Sequence, residues 1–371
     1  MPSILKFVFR KYPNSVASLA RAERTIPLGG QTFSKSPIGL PGGPLFLTRG
    51  DRGRVRDVDG NEYVDLICGL LPVVLGYRDP DVDDAIREQL NRGISFSLAT
   101  TLEADLAERL VEIIPCAEGV RFGKNGSDVT SAAVRLSRAF TGNDHIAVCG
   151  YHGWQDWYIG STPRNKGVPS AVSELTHPFP YNDLDALDAL LRQHEFALVI
   201  LEPANRVAPK PGYLEGVKEI AHRQGALLAF DETITGFRFA LGGAQELFGV
   251  TPDIATFGKA IANGMPLSAI TGRGDVMFEM KEVFFSSTFG GETLSLAAGI
   301  ATIDKMRREP VIEKLWKTGY TLAAAATDKI RQHGLSEEIS LSGFHPWMLL
   351  QFNDHPLARK EAIRTLFLRC M

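Results

Sequence analysis

Two charged residues that follow apolar runs are the first candidates for chemistry. Asp231 comes directly after the apolar run 226–230, and Lys259 closely follows the run 253–257. An ionised carboxylate at such a place costs free energy unless it meets a cation or hydrogen-bond donors. A desolvated lysine has a lowered pKa and becomes a nucleophile toward carbonyl groups. Each residue also has an ordinary interpretation, because Asp231 could cap the following turn and most lysines lie at the surface.

Two further segments have the composition to bind an anion and a flat ring. Asn125, Gly126 and Ser127 lie where a helix begins, and the free N–H groups and dipole of a helix N-terminus attract anions. Tyr151 and His152 follow the apolar run 145–150, and an aromatic side chain there can stack on a heterocycle. The alternatives are that Ser127 is an ordinary helix cap, that Tyr151 packs at the rim and that His152 has a structural role.

The elements that must position these residues alternate between strand and helix. A sheet with most strands parallel and helices on both faces is therefore predicted, and in such sheets ligands bind at the carboxyl ends of the strands. Predicted strands are 119–123, 145–150, 197–202, 226–230, 253–257 and 267–271. Predicted helices are 80–91, 101–114, 128–140, 183–194, 214–224, 292–306 and 356–370. An Asp59-Gly60 turn predicts a hairpin over 54–65.

Composition narrows the class of protein. The 371 residues are 44% hydrophobic and 22% charged, with a formal net charge of -3. These values argue against a disordered chain and against a nucleic-acid-binding protein with a broad basic surface. No apolar run is long enough to span a membrane. Four scattered cysteines exclude a disulfide scaffold, and the eight histidines have no ligand spacing, so no metal site is predicted. We expect a cytoplasmic protein without nucleic-acid or membrane partners.

In chain order, the candidate features match the needs of pyridoxal 5′-phosphate (PLP). Its phosphate suits a helix N-terminus, its ring needs a stacking face, its pyridine nitrogen needs a carboxylate, and its aldehyde needs a lysine for the Schiff base. The segment 121–142 has neither a GxGxxG nor a GxxxxGK[ST] pattern, which argues against a nucleotide-binding oxidoreductase or an NTPase.

The sequence resembles the class III (fold type I) PLP-dependent aminotransferases, in the branch that contains glutamate-1-semialdehyde 2,1-aminomutase. The resemblance covers about residues 25–310. It rests on the segments 230–248 (FDETITGFRFALGGAQELF), 249–266 (GVTPDIATFGKAIANGMP), 121–142, 151–153 and 57–66. It implies an α/β fold with a large PLP-binding domain over 71–305. A smaller α/β domain would come from the chain ends, 1–70 and 306–371, with its C-terminal part incomplete.

The resemblance also implies roles for the candidate residues. Lys259 would hold the cofactor and move a proton between its C4′ and the substrate, and Asp231 would pair with the ring nitrogen. Tyr151 would cover the ring with His152 beside it. The remaining cofactor-binding positions that the resemblance suggests are Asn125, Gly126, Ser127, Glu202 and Thr288.

Thr288 would act from the neighbouring subunit, so a homodimer with a shared active site is implied. The role of Glu202 is less clear from the resemblance.

Two departures from the aminomutase pattern bear on the substrate. Leu70 stands where the aminomutase has a Trp, and Lys35 lies near the place of its carboxylate-binding Arg. A lysine cannot make the bidentate contact of an arginine with a carboxylate. Ile234, by contrast, agrees with the aminomutase-like branch, since it stands where other aminotransferases of the class often carry a Gln. The stretches GGQTFSKSP and YHGWQDWY are typical of relatives that aminate sugar-like or cyclitol carbonyls.

Three functions remain open from the sequence. The first is an aminotransferase that moves an amino group from a small-molecule donor, L-glutamate, to a carbonyl acceptor such as a keto-sugar or cyclitol, with ping-pong kinetics. The second is an aminomutase of the glutamate-1-semialdehyde type. The third, suggested by the position of Met371, is a non-catalytic protein that keeps the cofactor fold.

Overall fold

A seven-stranded sheet forms the centre of the protein. The structure is a computed structural model that describes residues 11–36 and 46–370. The strands follow the order β4-β10-β9-β8-β7-β5-β6; β10 is antiparallel to both of its neighbours, and the other pairings are parallel. The strands are β1 Leu47–Asp51, β2 Arg54–Asp57, β3 Glu62–Val64, β4 Gly119–Gly123, β5 His145–Cys149, β6 Thr176–Pro178, β7 Phe196–Leu201, β8 Leu227–Asp231, β9 Ile254–Phe257, β10 Ser268–Gly272, β11 Ile339–Phe344 and β12 Trp347–Phe352.

Helices cover both faces of this sheet. They are α1 Pro13–Ala22, α2 Pro80–Leu90, α3 Thr101–Ile113, α4 Gly126–Thr141, α5 Asp156–Ile159, α6 Ser170–Ser173, α7 Leu184–Leu191, α8 Tyr213–Arg223, α9 Ala244–Phe248, α10 Gly274–Phe278, α11 Thr293–Arg308, α12 Val311–Gln332 and α13 Lys360–Cys370. None of the helices in the described ranges combines the length and apolarity that crossing a membrane requires.

Burial on both faces explains the continuous apolar strands. All six residues of β7 are buried. Leu198 and Ile200 pack into one core with α4, whereas Val199 and Leu201 pack into a second core with α7 and α8. A strand covered on both faces reads as an unbroken apolar run rather than an alternating one. The prediction of an α/β fold with a mostly parallel sheet is therefore confirmed.

The predicted elements agree with the structure, with small shifts at their ends. The six predicted strands each lie within one residue of β4, β5, β7, β8, β9 and β10. The 54–65 hairpin forms as β2 and β3, and Gly60 in its turn has a φ of 87°. The helix predicted over 128–140 begins earlier, at Gly126, and the one predicted over 356–370 begins later, at Lys360. The sequence did not reveal β6, α12 or the β11–β12 pair.

The turn after β8 is fixed by Glu232, which is fully buried. Its carboxylate accepts hydrogen bonds from the backbone N–H groups of Ala244 (2.7 Å) and Gln245 (2.9 Å), at the start of α9. Burial raises the pKa of Glu232 to about 7, against the opposite effect of Thr235 and these backbone donors. Glu232 thus ties the end of β8, and with it Asp231, to α9.

Removal of this carboxylate should destabilise the fold. Glu232→Ala leaves two N–H groups at the buried start of α9 without their acceptor, and we expect the free energy of unfolding to fall by about 3 kcal/mol. Urea denaturation followed by circular dichroism measures the loss. Glu219→Ala is the control, because Glu219 is exposed on α8, and it should change the value by less than about 0.5 kcal/mol. Equal losses in the two variants would contradict this account of the turn.

Candidate active site

Five strands of the central sheet deliver candidate residues to one edge. Asp231 is the last residue of β8, Lys259 follows β9 and Glu202 follows β7. His152 follows β5, and Gly126 follows β4. These strands run in the same direction, so their carboxyl ends form a common edge of the sheet. The structure thus brings these residues together at the edge where ligands bind in sheets of this kind.

Asp231 is a buried carboxylate with several hydrogen-bond donors. Its oxygens lie 2.9 Å from Nδ1 of His152, 3.1 Å from the backbone nitrogen of Thr233 and 3.3 Å from Oγ1 of Thr256. Burial alone would raise the pKa of Asp231, but the hydrogen bond and charge of His152, with the Thr233 contacts, outweigh burial and hold the pKa below its usual range. Asp231 is therefore an ionised carboxylate inside an apolar sheet.

His152 is itself held in place by its surroundings. The side chain is buried, its ring stacks near Trp157 at 6.3 Å between centroids, and Tyr158 packs edge-on against it at 5.3 Å. Its backbone oxygen accepts a hydrogen bond of 2.9 Å from Thr130. With Asp231 ionised, the Nδ1–H of His152 donates to it. Nε2 of His152 is buried and has no partner among the described residues.

Lys259 combines a strained backbone with a desolvated amine. It begins a short 3-10 turn, Lys259–Ala262, with a φ of 47°, and a residue other than glycine in this region carries strain of about 1–3 kcal/mol. Burial lowers the pKa of Lys259 against the opposite pull of the Asp231 and Glu202 charges, and the nearby Arg238 charge lowers it further. A larger share of the amine is therefore unprotonated, which is the form that attacks carbonyl groups.

The start of α4 is an anion site with close packing around it. Asp128 accepts hydrogen bonds from the backbone N–H groups of Lys124 (3.0 Å) and Asn125 (2.8 Å). The N–H groups of Gly126 and Ser127 follow in the first turn, where a helix offers no acceptor.

A second set of contacts shapes the same anion site. A Cβ on Gly153 would lie 2.2 Å from Oγ of Ser127, and a Cβ on Gly126 would lie 3.1 Å from Cγ2 of Thr233. Oγ1 of Thr233 is buried without a hydrogen-bond partner in the part of the chain that is described. Hydroxyl groups and free N–H groups therefore surround a space beside α4 that has room for glycine but not for a side chain.

Glu202 positions the turn that carries Tyr151. Its Oε2 accepts a hydrogen bond of 3.0 Å from the backbone N–H of Tyr151. A Cβ on Gly150, which has a φ of 112°, would lie 2.5 Å from the same oxygen. Burial raises the pKa of Glu202, and the charge of Asp231 raises it further. Tyr151 is 62% exposed, and its ring makes a T-shaped contact with that of Tyr158.

Two sequence-predicted residues are exposed. Asn125 is exposed, and its side chain takes part in the cap of α4. Thr288 is exposed on the segment between α10 and α11. Within the described ranges, no hydrogen bond joins Thr288 to Asp231, Lys259 or Ser127.

Sequence reasoning missed several residues that support the site. Thr233 donates to Asp231 through its backbone N–H and Thr256 through its hydroxyl, but a threonine near a strand end looks like any turn residue. Arg238 is buried; it donates to the backbone oxygens of Leu71 and, at 3.3 Å, Pro346, while its Nε lacks a partner among the residues described. No sequence signal marks it, because the oxygens that it binds come from distant segments.

These residues fit the chemical groups of PLP. The ionised Asp231 suits the ring nitrogen, the desolvated Lys259 suits the aldehyde, and the α4 start with the unpartnered Thr233 hydroxyl suits the phosphate.

Comparisons with known proteins agree with this fit. The family model Aminotransferase class-III matches residues 40–343. The chain is 38% identical over 362 residues to a 3-aminobutyryl-CoA aminotransferase of Cloacimonas acidaminovorans, covering 94% of this chain and 86% of the relative. It is also 38% identical over 371 residues to a glutamate-1-semialdehyde 2,1-aminomutase of Methanothrix thermoacetophila, covering 95% and 85%.

A solved structure extends the agreement to the fold. The FumI protein of Sphingopyxis sp. MTA144, in a form with PLP, superimposes with a TM-score of 0.87 at 29% identity, covering 92% of this chain and 83% of that protein. The protein belongs to the class III aminotransferases, PLP-dependent enzymes of fold type I, as the family model, the sequence relatives and the fold all indicate.

Proposed function

We propose that this protein is an aminotransferase that takes an amino group from L-glutamate and passes it to a carbonyl acceptor. The observation that carries the proposal is the pairing of a desolvated Lys259 with an ionised Asp231 at the ends of adjacent strands. A non-catalytic protein has no need of either group, since both are costly to bury. This argument counts against the non-catalytic alternative.

The residues divide the chemistry between them. When bound, PLP supplies an aldehyde and a pyridine ring that accepts electrons. Lys259 holds that aldehyde through its unprotonated amine. As a free amine, Lys259 would take the proton from the α-carbon of the amino donor and return it at C4′. Asp231 keeps a proton on the ring nitrogen, and His152 keeps Asp231 ionised and oriented.

Other residues bind and orient the cofactor in this proposal. Gly126 and Ser127 bind the phosphate through the first turn of α4, with the Thr233 hydroxyl beside them. Tyr151 covers one face of the ring, and Glu202 holds its backbone. Asn125 caps α4, and the N–H groups of the next two residues, Gly126 and Ser127, are left free for the phosphate.

An unusual backbone segment suggests where the acceptor binds. Cys68, Gly69, Leu70 and Leu71 all have a positive φ, between 52° and 81°, and Arg238 binds the oxygen of Leu71. Strained residues of this kind cluster at ligand sites. We propose that the acceptor binds beside this segment. Leu70 and Lys35 argue against the substrate of the aminomutase, and the stretches GGQTFSKSP and YHGWQDWY favour a keto-sugar or cyclitol.

Two relatives suggest alternatives to a keto-sugar acceptor. One is named a 3-aminobutyryl-CoA aminotransferase, which favours a 3-oxoacyl thioester as the acceptor to test beside keto-sugars. The other is an aminomutase, and an aminomutase would turn over without an external amino donor.

We propose a cytoplasmic location, because the four cysteines are unpaired in the described ranges.

We also propose a homodimer in which Thr288 serves the partner's phosphate site. Thr288 lies between Phe284 and Phe289, which are 79% and 58% exposed, and Leu98 is 85% exposed. The backbone N–H of Thr293 donates to the oxygen of Ile94, which brings the two loops together. Exposed apolar side chains on adjoining loops are typical of a protein interface.

Replacement of the lysine should abolish attachment and turnover together. In the wild type, borohydride reduction should fix PLP covalently on the peptide that contains Lys259, as read by mass spectrometry. Lys259→Ala should lose this label and slow transamination at least about 1,000-fold, since a general acid–base group contributes up to about 10,000-fold. Lys281→Ala, at an exposed lysine, is the control. Wild-type turnover by Lys259→Ala would refute the assignment.

Neutralisation of Asp231 should separate catalysis from attachment. Asp231→Asn cannot hold a charge against the ring nitrogen, so we expect turnover to fall about 100-fold or more, while Lys259 is still labelled after reduction. Asp275→Asn, at an exposed aspartate, should leave both readouts unchanged. A loss of label equal to the loss of turnover would indicate a misfolded site instead of a lost charge.

Mixed dimers test the position of Thr288. Thr288→Ala should weaken PLP binding, and Lys259→Ala should be inactive. If Thr288 acts across the interface, a dimer with one variant of each kind contains one intact site, so it should show about half of the wild-type activity at limiting PLP. A mixed dimer no more active than the Thr288→Ala parent would place Thr288 in its own subunit.

A further inference from the structure

Three histidines from distant segments meet at the amino end of the sheet, opposite the candidate active site. His145 is the first residue of β5, His177 is the central residue of β6, and His194 lies in the segment between α7 and β7. One ring nitrogen from each histidine lies within 4.8 Å of the others. The sequence interpretation found no ligand spacing because these residues converge only in the folded chain.

The strand pairing places the histidines on one face. His177 is opposite Ala147 in the parallel β5–β6 pair, and Ala147 is two residues after His145, so the side chains of His145 and His177 share a face. Nδ1 of His145 lies 2.9 Å from Nε2 of His177. The ring of His194 stacks on that of His145, with 4.2 Å between centroids and 15° between planes.

Three imidazole nitrogens at these separations match a transition-metal site. Zn²⁺ binds histidine nitrogen at about 2.0–2.1 Å in a tetrahedron, which separates two ligand atoms by about 3.3 Å. The His145–His177 pair is already near this value, and a ring nitrogen of the exposed His194 lies within 4.8 Å of both.

We propose that His145, His177 and His194 bind one divalent transition-metal ion, Zn²⁺, with water in the remaining position. The ion would join β5, the edge strand β6 and the segment before β7. The strand β6 has only three residues, one of them Pro178, so it has few backbone hydrogen bonds of its own. A metal at this place would stabilise the edge of the sheet, independently of PLP.

Titration with the metal alone tests the site. Untagged, PLP-loaded protein is freed of metal with a chelator and titrated with ZnCl₂ in a calorimeter, and we expect one ion per chain. Loss of an outer-shell partner alone weakens a metal site about 10- to 100-fold, so His194→Ala, which removes a ligand, should weaken binding at least about tenfold. His333→Ala is the matched control, because His333 is exposed at the end of α12, outside the cluster.

Visible absorption and thermal unfolding test the site independently of the heat of binding. Co²⁺ in place of Zn²⁺ should give the intense visible absorption of a tetrahedral site in the wild type and in His333→Ala, but not in His194→Ala. Excess Zn²⁺ should raise the thermal unfolding midpoint of the same two proteins, since a ligand of the native state stabilises it. Equal Zn²⁺ affinity in the wild type and His194→Ala, or no binding by the wild type, would overturn the proposal.

Discussion

The burial of Asp231 within an apolar sheet is the constraint on which the rest of the site depends. A carboxylate at the end of β8 is stable there only because donors surround it. The principal donor, His152, is fixed by Trp157 and Tyr158 around its ring. The pKa values of Asp231 and Lys259 are both lowered, the first by hydrogen bonds and the second by burial. The donors around Asp231 thus keep that group charged, while burial makes the amine of Lys259 more readily neutral.

Close approach of backbone segments is the second requirement. Gly153 passes so near Ser127 that no side chain would fit, and Gly150 does the same beside Glu202. These glycines let the turn after β5 lie against the start of α4. Lys259 has a left-handed backbone between the buried strand β9 and the buried residues of the following turn. The site is therefore assembled by contacts between strand ends, with little help from any single loop.

The sequence predicted the strands and the site residues that a local pattern marks. Buried runs such as 197–202 identified the strands, and the residues after them identified Asp231 and Lys259 as candidates. What it could not predict depends on distant segments. The strand β6 is three residues long and includes a proline. Arg238 binds the backbone oxygen of Leu71, from a separate segment, and the His145–His177 contact joins residues 32 positions apart. No regular spacing in the sequence marks either of these two contacts.

The central claim, that Lys259 and Asp231 carry out amino transfer from L-glutamate, is tested most directly by a half-reaction. PLP-loaded protein is mixed with excess L-glutamate and no acceptor, and the 2-oxoglutarate released is measured. A ping-pong enzyme completes its first half without the second substrate. We predict one equivalent of 2-oxoglutarate per active site and none from Lys259→Ala. Release of no 2-oxoglutarate by the wild-type protein, or of the same amount by Lys259→Ala, would contradict the account.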